Sequence, residues 1–193
     1  MAEEQEFHRR SVRIRGADYT HPGGYFITIC AANRRSFFGK IEDDGVILTA
    51  LGVIAHRCWL TIPEHFPNAM MKEFVVMPNH LHGIIGLGVG ARYIVPFDRR
   101  SRTPEQFQKP VQGSIPTIVR TFKAEVTRQA RREIGFKGGA IWQRNYFERV
   151  LRDGQEYADA SRYIVENPAR WKWDRENSGR EAEQDGIKPS KFR

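Results

Sequence analysis

The sequence predicts an α+β fold: a ferredoxin-like, split βαβ arrangement in which an antiparallel sheet carries helices on one face, with a further helix added at the C-terminal end. Three observations predict it. Segments of strand and helix periodicity follow one another as strand, helix, strand, strand, helix, strand. Only Pro78-Asn79 separates the two middle strands, which makes them a hairpin. Each helical segment has one apolar face, enough to cover a sheet but not to be buried all round.

Residues 1–23 read as a basic N-terminal arm, with Arg9, Arg10, Arg13 and Arg15 around Val12 and Ile14. The arm has no apolar stretch of the kind that forms a secretory signal. Tyr25-Phe26-Ile27-Thr28-Ile29-Cys30 is β-branched and aromatic, and is read as a central strand. Thr49 is placed to cap a helix in which Leu51, Ile54, Ala55, Cys58 and Ile62 recur at helical spacing, until Pro63 ends or bends it. Strands are expected from Lys72 to Met77 and from His80 to Leu87, followed by a long loop over 88–113. Ser114, with Pro116 behind it, opens a helix whose apolar face is Ile115, Ile118, Val119, Phe122, Val126, Ala130 and Ile134, and Gly135 closes it. Arg120, Lys123, Arg128, Arg131 and Arg132 leave that face. A fourth strand is expected between Ala140 and Leu151. Asp153 and Glu156 then start a helix that Pro168 stops after Asn167. The folded domain is expected over 24–173, with 174–193 a disordered polar tail.

The 193 residues suffice for one sizeable core, with 40% hydrophobic and 28% charged side chains. A net charge of +8 points to a polyanionic partner, nucleic acid before an anionic membrane. Cys30 and Cys58 sit alone in apolar runs, which excludes a disulfide framework or a cysteine zinc cluster and suits a reducing cytoplasm. No apolar run is long enough to span a bilayer.

Two pairs of residues carry candidate chemistry. On a strand, His80 and His82 point to one side and Leu81 to the other. They are either two metal-ligating imidazoles or two polar groups on a solvated face. On the last helix Tyr163 and Asn167 stand four apart and share a face. They are either a converging phenol and amide, or a packing tyrosine and a helix-end asparagine.

The stretch VVMPNHLHGII resembles the His-hydrophobic-His motif of HUH endonucleases. Together with GYFITICAANRRSFFG, SIPTIVRTFKAEVTRQA, IWQRNYFERVLRD and YIVENPARW, it resembles the single-tyrosine transposases of small single-strand insertion sequences, and most of all their REP-associated branch. The resemblance spans about Gly24 to Trp173. It implies that His80 and His82 bind a divalent metal, Mg²⁺ or Mn²⁺, and that Asn167 supplies a third ligand where the insertion-sequence branch has glutamine. It implies that Tyr163 is the nucleophile, leaving a 5′-phosphotyrosine and a free 3′-hydroxyl. The substrate would be single-stranded DNA folded into imperfect palindromic hairpins, with phosphate contacts from Arg9, Arg10, Arg13, Arg15, Arg120 and Lys123, and with Trp142 or Phe147 either stacking on bases or lying in the core. A monomer or homodimer in the bacterial cytoplasm, associated with the nucleoid, is expected. Arg149 departs from the histidine that many relatives carry there. The alternative is a domesticated hairpin-binding protein without turnover.

Overall fold

A computed structural model describes residues 22–88, 111–174, 176 and 177. The arginines of the basic arm and most of the long loop lie outside the described residues. The elements run β1 (Gly23–Cys30), β2 (Gly39–Glu42), β3 (Gly45–Leu48), α1 (Ala50–Leu60), α2 (Ile62–His65), β4 (Ala69–Val76), β5 (His80–Leu87), α3 (Ile115–Ile134), β6 (Phe147–Leu151) and α4 (Gly154–Glu166).

The main sheet has the order β4-β5-β1-β6, antiparallel at every pairing. This is the split βαβ order expected from the sequence. Strand alternation then divides the core in two. Tyr25, Ile27, Ile29, Leu81 and Ile85 face α1 and α3, where Leu51, Ile54, Trp59, Ile118, Phe122 and Val126 complete the larger core. Phe26 and Ile84 face the other way, against Leu151 and against Ala160 and Ile164 of α4. Gly83 lets α1 come close to the sheet. A Cβ there would stand 2.4 Å from the Trp59 ring and 3.0 Å from the Cβ of Phe74.

The caps are those the sequence marks. Thr49, Ser114 and Asp153 accept hydrogen bonds from the backbone N–H groups of Gly52, Thr117 and Glu156, and Gly135 ends α3 in the left-handed conformation at φ 61°. Pro63 falls in the four-residue α2 just after α1.

Three boundaries differ from expectation. The β2–β3 hairpin is additional: its strands have four residues each, and the turn places Asp43 and Asp44 at φ 47° and 59° without the Asn-Gly pair that usually marks such turns. The fourth strand is shorter, starting at Phe147 rather than Ala140. Of the earlier residues, Trp142 makes one isolated bridge to Ala31, and the next carbonyls are turned to Lys123 instead of a neighbouring strand. The segment read as tail from residue 174 starts in the folded domain, because Asp174 and Glu176 are buried and hydrogen-bonded. Among the described residues no helix is long and apolar enough to cross a membrane.

Candidate metal and tyrosine site

The two histidines begin β5, where β1 fixes their height and direction. His80 pairs with Cys30 and His82 with Thr28, so both side chains point to the α4 side of the sheet. Both are buried, which removes the reading of a solvated strand face. Their rings lie 4.3 Å apart, centroid to centroid.

The surrounding hydrogen bonds orient the rings. Asn79 Nδ2 donates to the carbonyls of Glu176 (2.5 Å) and Arg34 (3.2 Å), so its Oδ1 is the atom facing His80 Nδ1 at 2.9 Å. An amide oxygen only accepts. Nδ1 of neutral His80 therefore carries the hydrogen, and Nε2 keeps its lone pair. His82 Nδ1 lies 2.8 Å from Thr28 Oγ1, and its Nε2 lies 3.5 Å from the Tyr163 hydroxyl. Outer groups that fix one nitrogen and leave the other as donor are the usual setting of a metal-ligating imidazole.

α4 brings the remaining groups. The Tyr163 ring stands edge-on to Phe26 and to His82, with centroids at 6.0 and 5.2 Å. Asn167 caps the helix, still in helical conformation, and is buried. The chain then turns through Trp171–Trp173, and Trp171 stacks beside His80 at 6.0 Å. This turn carries Asp174 into the site. Its Oδ2 accepts from Asn167 Nδ2 at 2.9 Å and its Oδ1 from the Glu176 N–H at 2.6 Å.

The donor atoms of His80, His82 and Asp174 all lie within 4.8 Å of one another, and all three residues are buried. Asn167 Oδ1 is buried with no hydrogen-bond partner among the described residues. Such an orphaned acceptor costs about 1–3 kcal/mol. Two imidazole nitrogens, a carboxylate and an amide oxygen in need of a positive partner suit a divalent cation of intermediate hardness.

The structure thus brings His80, His82, Tyr163 and Asn167 together at one place. It adds Asp174, which the sequence reading missed. The one hint was the aromatic Trp171-Lys172-Trp173, too apolar a stretch to lead straight into a solvated tail.

Lys123 is placed differently from expectation. Its ammonium donates to the carbonyls of Gln143 (2.9 Å), Asn145 (3.0 Å) and Arg144 (3.4 Å), beside the Tyr146 ring. Burial pushes its pKa down to about 8. It is an inward anchor rather than a free phosphate contact. Arg120 is exposed on α3. Arg128 pairs with Glu125 and Arg132 with Glu133, so the basic face of α3 is partly neutralised. Arg149 pairs with Glu156 at 3.0 Å. Trp142 packs on Phe38 and Phe122 in the larger core, and half-buried Phe147 packs against the smaller one. The rival tyrosine, Tyr146, donates its hydroxyl to Glu148 at 2.7 Å.

No family model matches the chain. An uncharacterized protein of Haemophilus influenzae is 40% identical over 167 residues, which are 86% of this chain and 92% of that protein. The chain belongs to the family of that protein. The fold of this family member is similar to that of a solved REP-associated tyrosine transposase bound to a REP hairpin. The TM-score is 0.51 and the identity 22%, over 90% of this chain and 76% of the other. The likeness is one of fold, and the fold is the split βαβ arrangement expected from the sequence.

Proposed function

We propose that the protein is a metal-dependent nuclease and strand transferase for single-stranded DNA, with Tyr163 as nucleophile and DNA hairpins as substrate. One observation carries the reading: the Tyr163 hydroxyl reaches 3.5 Å from His82 Nε2, beside a buried cluster of His80, His82 and Asp174 able to hold a cation.

His80 and His82 would hold the ion, Mg²⁺ or Mn²⁺, with oxygens from Asn167 and Asp174. When bound, it withdraws charge from the scissile phosphate and so lowers the barrier to nucleophilic attack. Tyr163 Oη forms a bond to phosphorus while the bond from phosphorus to the 3′-oxygen breaks. The phenol gives up its proton and the departing 3′-oxygen gains one. The products are a 5′-phosphotyrosine and a 3′-hydroxyl. Attack by another 3′-hydroxyl reverses the step and joins two strands. Phe26 and His82 hold the phenol ring in place, which converts binding energy into orientation.

The net charge of +8 supports a nucleic-acid partner, with phosphate contacts from Arg120 and from Arg9, Arg10, Arg13 and Arg15 in the arm of residues 1–23. The hairpin as substrate draws on the fold-related transposase bound to a REP hairpin. A monomer or homodimer in the bacterial cytoplasm, at the nucleoid, fits this role.

The test is to incubate the protein with labelled single-stranded hairpin DNA and Mn²⁺ and to resolve it on a denaturing gel. A covalent protein–DNA band that EDTA abolishes is expected. Cleavage without that band would make water the nucleophile and overturn the assignment of Tyr163.

A further inference from the structure

Asn79 stands in the short break between β4 and β5 and is only 1% exposed. The break is stitched to the segment that follows β1. The Asn79 carbonyl accepts from the Ala31 N–H at 2.8 Å, and the Pro78 carbonyl accepts from the Phe38 N–H at 2.9 Å.

The side-chain amide is used in full. Nδ2 has two hydrogens, and two carbonyls take them: Arg34 at 3.2 Å and Glu176 at 2.5 Å. Oδ1 faces His80 Nδ1 at 2.9 Å. Turning the amide over would set its oxygen against two carbonyl oxygens inside the protein, so the amide has one orientation.

Both carbonyls are themselves held. Asn33 and Arg34 adopt left-handed backbone conformations, at φ 52° and 54°. Asparagine tolerates this and arginine does so at a cost. The Arg34 guanidinium pairs with the buried Glu176 carboxylate at 2.6 Å, and the Cys30 thiol donates to that carboxylate at 3.4 Å. Arg34 and Glu176 are therefore tied to each other as well as to Asn79.

The consequence falls on His80. An acceptor fixed at Nδ1 keeps the ring hydrogen there and the lone pair on Nε2. His82 has a different neighbour. Thr28 Oγ1 lies 2.8 Å from its Nδ1, and a hydroxyl can donate or accept, so Thr28 selects no tautomer by itself.

We propose that Asn79 is a positioning residue of the metal site. Held by the carbonyls of Arg34 and Glu176, it locks His80 in the tautomer and ring orientation that suit a cation before any cation arrives. The proposal rests on the metal-dependent nuclease reading and deepens it with a residue outside the ligand set.

The test uses two readouts that need no DNA cleavage. In the metal-free protein, at a pH where the ring is neutral, long-range proton–nitrogen NMR spectra should show the His80 hydrogen on Nδ1. Asn79→Ala removes the acceptor. It should let the Nε2–H form appear and weaken Mn²⁺ binding about ten- to a hundred-fold by calorimetry. A merely structural role would lower stability and move neither readout. Ser114→Ala sets that comparison: it removes the cap of α3, and should lower the urea midpoint without changing the His80 spectrum or the Mn²⁺ affinity. A hydrogen on Nε2 of His80 in the parent protein overturns the proposal, as does unchanged Mn²⁺ affinity in Asn79→Ala. Should Asn79→Ala fail to fold, the parent spectrum decides by itself. Mn²⁺ binding with the expected dependence, but no covalent adduct on hairpin DNA, overturns only the nuclease reading. A parent protein that binds no Mn²⁺ overturns both.

Discussion

The Tyr163 hydroxyl and Nε2 of His82 lie 3.5 Å apart although 81 positions separate them in the chain. Two independent packing events produce this approach. Pairing of β5 with β1 sets His82 opposite Thr28, and docking of Ala160 and Ile164 onto Phe26 and Ile84 sets the rotation of α4. Replacing Tyr163 by Phe removes only the hydroxyl and keeps the ring contacts. The variant should fold, bind hairpin DNA with near-wild-type affinity and form no covalent adduct. Tyr146→Phe should still form it. Peptide mapping of the trapped complex checks the pair, and DNA on the Tyr146 peptide would reverse the assignment.

Metal binding and DNA binding should separate. His80→Ala or His82→Ala should abolish cleavage and leave hairpin affinity nearly intact, because affinity comes from the basic surface. Asp174→Asn removes an anionic donor while keeping its volume, and should weaken Mn²⁺ binding about tenfold or more by titration calorimetry. Unchanged Mn²⁺ affinity in Asp174→Asn would remove Asp174 from the site. DNA affinity itself should fall linearly on a log–log plot against salt, by about 0.7 per phosphate neutralised.

A pH effect is expected from α3. Hydrogen bonds from Arg128 and then from Gln129 hold the Glu125 carboxyl at about 2, below its ordinary 4.5. Its folded value is lower than its unfolded one, so its stabilisation is present above about 4.5 and is lost as pH falls through about 2. Glu125→Gln should therefore show a lower urea midpoint than the parent at neutral pH, with the gap narrowing as the solution is acidified through that range. A gap independent of pH would assign the effect to packing instead.

Gly83→Ala tests the seating of α1 on the sheet. The added methyl would meet Trp59 at 2.4 Å in a packed core, and overpacking of this kind costs about 1–3 kcal/mol. Trp59→Leu in the same chain should recover part of the loss, a non-additivity that chemical denaturation can read.

The parts of the fold that were legible in sequence are those that local physics dictates. His80 and His82 share a side because strand side chains alternate, and Thr49, Ser114 and Asp153 cap because their oxygens reach the first free N–H groups of a helix. The β2–β3 hairpin was not legible, since four residues on each side, only Gly39 of them buried, give too little pattern. Lys123 reads as one more charge on a basic helix. Only the fold turns three carbonyls towards it. Asp174 was hidden for a similar reason: its position depends on Trp171 stacking beside His80, while the composition after residue 174 is that of a solvated segment.

The division of the site between β5 and the end of α4 also orders events in time. On a ribosome the two histidines emerge long before Tyr163, Asn167 and Asp174. A nascent chain that ends before α4 holds the segments of β4 and β5 without the phenol, the amide and the carboxylate that the complete fold sets beside the histidines. Under the proposed function, cutting ability would arrive only with the last stretch of the folded domain, and a chain truncated by stalled translation would lack it.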